Sequence, residues 1–311
     1  MPRAISIHVG VNQVTSNVFT APKLEHAEDD ARAMFVLAQK AGFEANWRSA
    51  KTGKSSLLLG LDATYFNVTN AVLDAANDLD PGSIFLFTFS GHGDASFFDH
   101  PPAVPEKPGE KNETIVLTDH MLFDEVWQNE LRPKFKENTR AVAVLDCCNA
   151  AGTLSSLFIL LHNVGKHLER TAELFGLRDS TPRAASPVVK ALAAEERKKE
   201  LAANEEFYTT HTTAPANPLP INVKRILLSA CGAKEKALEG PNNGLFTAAL
   251  LEVWNHEAAA VPDGVFAFPD SYDKFMDAIK DKFGISDEQH PQLTAEPSGP
   301  MGFTVEHPFS L

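Results

Sequence analysis

The chain has 311 residues, 43% hydrophobic and 22% charged, with a formal net charge of −13. This composition fits a soluble globular protein of one large α/β domain or two small ones. The acidic balance argues against general nucleic-acid binding, which needs clustered Lys and Arg, and no apolar run reaches the ~18 to 20 residues that span a bilayer.

In chain order, a strand is expected over residues 5–11 and an amphipathic helix over 24–41, with Leu24, Ala27, Ala31, Met34, Phe35, Leu37 and Ala38 near helical spacing before Gly42. A short strand over 43–48 and a helix over 63–79 follow. The run 83–89 is rich in β-branched and aromatic residues, as a strand buried on both faces should be, and stops at Ser90-Gly91-His92-Gly93. Prolines at 101, 102, 105 and 108 mark a surface loop. A small hairpin (114–117 with 121–123) and a helix over 124–135 lead to a second buried strand, 141–145, which stops at Asp146-Cys147-Cys148-Asn149. A helix over 153–164 comes next. Residues 165–220 lose the pattern and read as a linker with a charged helix over 188–207. A strand over 223–229 and helices over 243–257 and 271–283 complete the series. Strands alternating with helices predict a parallel sheet covered by helices.

Two parallel strands would deliver His92 and a cysteine to one sheet edge. A cysteine nucleophile works as a thiolate, and an adjacent imidazole can take its proton, so the pair has the chemistry of a cysteine hydrolase. Cys147 and Cys148 compete for the role, because neighbours on a strand face opposite ways. The cysteines lack zinc-finger spacing. Gly53-Lys54-Ser55 mimics the end of a phosphate-binding loop, but Arg48 stands where that motif needs its first glycine. Three cysteines, two of them adjacent, make a poor disulfide framework, and the amino-terminal residues form no apolar leader, so a cytoplasmic location is expected.

Ser90-Gly-His-Gly and Asp146-Cys-Cys, at an interval close to the roughly 50 residues described for caspases, resemble the signatures of the caspase and metacaspase clan. Ile226-Leu-Leu-Ser-Ala-Cys-Gly, Asn243-Gly-Leu-Phe-Thr-Ala-Ala-Leu and His290-Pro-Gln-Leu resemble the small-subunit half of bacterial and fungal metacaspases, and Leu24-Glu-His-Ala-Glu-Asp-Asp-Ala resembles their first helix. The resemblance implies a caspase-like α/β/α sandwich with a mostly parallel sheet of about six strands. It divides the chain into a large-subunit-like half (1–164), an inter-subunit linker (165–220) and a small-subunit-like half (221–311). It further implies a cysteine endopeptidase with Cys148 as nucleophile, His92 as acid and base, and the Gly93 and Cys148 amides as oxyanion donors.

Asp30 and Asp146 would line the primary pocket, with Asp29 as register competitor to Asp30. Ser229 would bind the substrate backbone. Buried carboxylates favour a cation, so cleavage after Arg or Lys is implied, on protein or peptide substrates. The linker resembles those of zymogens, with a cut after Arg183 or another of its basic residues, by the chain itself or by an activating protease. Asn149-Ala-Ala-Gly departs from the family's His-Ser-Gly and supports an alternative, a caspase-fold scaffold with little catalysis. No cofactor is expected. The absence of acids over 153–161 weighs against calcium dependence. By analogy the setting is regulated proteolysis in bacterial stress, death or defence.

Overall fold

The computed structural model describes residues 1–96, 112–148, 190–212, 223–232, 235–259, 270–283, 289–296 and 303–310. Its centre is a six-stranded sheet of order β2-β1-β3-β7-β8-β9, built from Ala4–Gly10 (β1), Leu57–Leu59 (β2), Ile84–Ser90 (β3), Arg140–Asp146 (β7), Lys224–Ser229 (β8) and Gln292–Glu296 (β9). The first five strands are parallel and β9 runs antiparallel to β8. Every residue of β1 and β3 is buried, which explains why these strands read as unbroken apolar runs rather than alternating ones.

Helix α1 (Ala27–Lys40) buries Ala27, Asp30, Ala31, Met34, Leu37 and Ala38, a stripe at helical spacing that carries one acid. Its first turn lies so close over the end of β1 that a Cβ on Gly10 would be 2.7 Å from the Ala27 carbonyl oxygen and the Glu28 Cα, so only glycine fits there. Helix α2 (Tyr65–Asp78) starts at Thr64, whose side chain accepts from the Asn67 amide. A three-stranded antiparallel sheet, β4 (Gly93–Ser96), β5 (Asn112–Val116) and β6 (Met121–Phe123), begins directly after His92.

Several expectations shift. The second strand is Leu57–Leu59, not 43–48, where Phe43 and Trp47 instead pack into the core from a loop. The helix expected over 124–135 is one helical turn, α3 (Asp124–Val126), then a wide turn at Trp127–Leu131 and a tight one at Arg132–Lys134. Pro133, with no amide hydrogen and a ring that crowds the preceding turn, ends the regular ladder. The proline-rich loop and the helix expected over 153–164 lie outside the described residues. Within the segment read as linker, residues 190–193 are extended and are followed by α4 (Ala194–Ala203) and α5 (Glu205–Thr212). Helix α6 (Leu245–Ala259) packs beside α1, and α7 (Tyr272–Phe283) packs against α6 and β9. Among the described residues no helix is long and apolar enough to cross a membrane.

Candidate active site

Parallel register aligns the carboxyl ends of β1, β3 and β7. Gly10 pairs with Ser90 and Ser90 with Asp146. This is the edge where strand order reverses, β2 lying to one side of β1 and β3 to the other, and open α/β sheets place their ligands there. His92 and Cys148 each stand two residues beyond that edge, and both are buried.

The His92 Nε2 lies 2.6 Å from the Pro22 carbonyl oxygen. A carbonyl only accepts, so Nε2 carries the hydrogen and Nδ1 is left as the basic nitrogen. That Nδ1 is buried without a hydrogen-bond partner among the described residues. Burial lowers the His92 pKa and nearby Lys190 lowers it further, against the opposing effects of Pro22 and Glu239. The Cys148 Sγ accepts the Ala237 amide at 3.2 Å, and its thiol faces the Ala237 carbonyl at 3.7 Å. Burial pushes its pKa up to about 11. In this state the thiol is protonated and turned to Ala237, not to the imidazole.

Gly93 closes on the turn at Cys147 and Cys148. A Cβ there would lie 2.4 Å from the Cys148 carbonyl oxygen and 3.0 Å from the Cys147 Sγ, so only glycine allows the approach. The Gly93 and Cys148 amides thereby converge on one acceptor, the Lys190 carbonyl oxygen, at 3.1 and 3.2 Å. The Lys190 amide donates to the Ala237 carbonyl at 3.0 Å, Ala191 bridges to Gly93, and the Leu192 amide donates to the Gly93 carbonyl at 3.3 Å. Residues 190–192 thus lie across the site as an extended peptide, with one carbonyl held between two amides beside the thiol.

The Lys190 side chain is fully buried, with Nζ 3.2 Å from Asp30 Oδ2, 3.1 Å from Asp146 Oδ1 and 2.9 Å from Ser90 Oγ. Burial alone would lower the ammonium pKa; Asp146 and Asp30 outweigh it, and the pKa is raised. Burial pushes the Asp30 carboxyl up, against the pull of Lys190. The start of α6 supports both acids. Asn243 Nδ2 and the Gly244 amide each donate to Asp30 Oδ1 at 2.9 Å, and the Thr247 amide and hydroxyl donate to Asp146 Oδ2 at 3.1 and 2.8 Å.

A family model described as Caspase domain matches residues 7–299. The chain belongs to the caspase-domain family. Cysteine peptidase chemistry is what membership supports, and protein substrates with it. Among solved structures, protein GSU0716 from Geobacter sulfurreducens is 24% identical, with all of this chain and 99% of that one covered and a TM-score of 0.71. Caspase-1 from Spodoptera frugiperda is 9% identical over 94% of this chain and 86% of its own, with a TM-score of 0.47. No curated protein matches the chain.

Within this caspase domain His92, Gly93, Cys148, Asp30 and Asp146 come together. Asp29 points outward, its side chain 57% exposed, whereas Asp30 is buried against Lys190. Cys147 is buried, and burial holds its thiol well above the usual pKa. Ser229 is buried in β8 with its hydroxyl 3.5 Å from the Gln292 carbonyl oxygen; Ala237, not Ser229, pairs with the Lys190 amide. Arg183 lies outside the described residues. Sequence reasoning gave no role to Pro22, Ser90, Ala237, Asn243, Gly244 or Thr247. Lys190 was one basic residue among several, yet a signal was there, since it stands alone in Val188-Val189-Lys190-Ala191-Leu192.

A thiol with a pKa near 11 should alkylate slowly at neutral pH, because the thiolate is the reacting form. Iodoacetamide labelling of Cys148 in the uncut chain, followed by peptide mass analysis, should speed up about tenfold per pH unit between pH 7 and 10. Fast, pH-independent labelling would contradict this environment.

Proposed function

We propose that the chain is a metacaspase-type cysteine endopeptidase that cuts after Lys or Arg, and that it is made as a zymogen with its own linker in the active site. Lys190 carries this reading. Its ammonium fills the two-acid pocket, its amide pairs with Ala237 as a substrate backbone would, and its carbonyl lies where a developing oxyanion needs donors.

The chemistry follows from these contacts. Sγ leaves Ala237 and passes its proton to the His92 Nδ1, which the Pro22 carbonyl keeps free by holding the hydrogen on Nε2. The thiolate attacks the carbonyl carbon of the basic residue, and the oxyanion is held by the Gly93 and Cys148 amides. The imidazolium then protonates the departing amine, and water releases the acyl group from Cys148. In cis the bond broken is Lys190–Ala191, so the linker cut falls there.

The segment after that bond is firmly docked. Arg197 pairs with Asp94 at 2.8 Å and lies over the Phe123 ring, while buried Glu200 accepts from the Tyr208 hydroxyl at 2.6 Å and contacts the His120 Nδ1 at 2.8 Å. This docking holds Ala191 and Leu192 against Gly93 and keeps other peptides out until the linker is cut. Turning of the thiol toward Ala237 in the filled site belongs to the same latent state.

The test uses fluorogenic peptides ending in Lys, Arg or Asp, with the chain intact and after linker cleavage and with a Cys148→Ala control. Cysteine-dependent release after Lys or Arg, higher in the cut chain, is expected. Silence from both forms would favour the scaffold alternative.

A further inference from the structure

We propose that the primary pocket selects lysine over arginine, with Gly244 setting its depth; this rests on the peptidase reading above. The Lys190 Nζ is enclosed by Ser90 Oγ at 2.9 Å, Asp146 Oδ1 at 3.1 Å, Asp30 Oδ2 at 3.2 Å and the Asp146 carbonyl oxygen at 3.4 Å. That is a cage for a compact ammonium.

The floor beyond it is backbone. A Cβ on Gly244 would lie 2.5 Å from Nζ and 2.2 Å from Asp146 Oδ2. This floor cannot easily recede, because the Gly244 amide is tied to Asp30 Oδ1 and α6 begins at the next residue.

Guanidinium gains its advantage over ammonium by offering a planar fork to both oxygens of one carboxylate. Neither acid has two oxygens to give. Asp30 Oδ1 is taken by Asn243 and Gly244, and Asp146 Oδ2 by the amide and hydroxyl of Thr247. Each acid presents a single oxygen to the pocket. An arginine, longer and planar, would therefore meet the Gly244 backbone without gaining bidentate pairing.

The experiment compares kcat/KM of the cut full-length chain on two peptides that differ only in Lys or Arg before the fluorogenic group. A Lys:Arg ratio of about ten is expected. A ratio above three supports the selection, and three or below overturns it while leaving the basic-directed reading intact. Release from neither peptide overturns the peptidase reading itself. The ratio is read on the unaltered chain and depends on no variant folding. The role of Gly244 is read on Gly244→Ala, with a cooperative thermal transition as the check on folding. A loss of tenfold or more on the Lys peptide supports it, and a smaller loss overturns it.

Discussion

A Lys190→Met chain is expected to stay in one piece under conditions in which the unaltered chain is cut, with linker cleavage slowed by a hundredfold to a few thousandfold. The estimate takes about 3 to 5 kcal/mol for removing one partner of a buried charge cluster, at about 1.4 kcal/mol per factor of ten. Met keeps most of the apolar stem, so the change isolates the ammonium. It also leaves Asp30 and Asp146 facing each other without a cation.

Burial and its neighbour Asp146 already raise the Asp30 pKa, and removing Lys190 takes away the largest of the effects that oppose them, leaving the hydrogen bonds from Ser90 and Asn243. A carboxyl whose folded pKa lies above its unfolded value stabilises the fold at low pH and loses that contribution as pH rises. The gap in thermal midpoint between parent and variant should therefore widen from pH 5 to pH 8. A gap that stays constant, or linker cleavage at the parental rate, would contradict the assignment of Lys190.

Asp146→Asn is expected to lower kcat/KM on Lys- and Arg-ended peptides by about a hundredfold to a thousandfold. Asp146 Oδ1 meets the bound ammonium at 3.1 Å as an ion pair inside a fully buried site, where removing one charge of such a pair is strongly unfavourable. Asparagine can keep the Thr247 contacts only by turning its carbonyl oxygen to them, which aims its NH2 group at the substrate cation. Steady-state kinetics on the cut chain would decide it. A loss below fivefold would mean that the pocket does not read charge through this residue.

The sheet was legible because strands buried on both faces must be apolar throughout. Ile84 to Phe89 and Val142 to Leu145 therefore stood out, and with them the residues at their ends. Leu57–Leu59 escaped because three residues at a sheet edge carry no periodicity, while Phe43 and Trp47 look strand-like but fill the core from a loop. In the linker the pattern misled. Arg197 and Glu200 have the composition of a solvated helix, yet both are buried by partners far away in sequence, Asp94 for one and His120 for the other.

The site divides in the same way. His92, Cys148 and the two acids belong to local motifs tied to strand ends or the first helix. The roles of Pro22 and Ala237 rest on backbone carbonyls and amides, which any residue type supplies, so no side-chain pattern announces them. Asn243-Gly244 and Thr247 were visible as a motif, but only the placement of α6 beside α1 gives them work, the first two on Asp30 and Thr247 on Asp146.

The most direct measurement is the intact mass of the fragments formed when the purified chain and its Cys148→Ala variant are incubated side by side. Two fragments from the unaltered chain, one ending at Lys190 and the other beginning at Ala191, with none from the variant, are predicted. Cleavage at Arg183 or any other bond instead, or the same fragments from the Cys148→Ala chain, would contradict a protease that holds its own Lys190 as substrate.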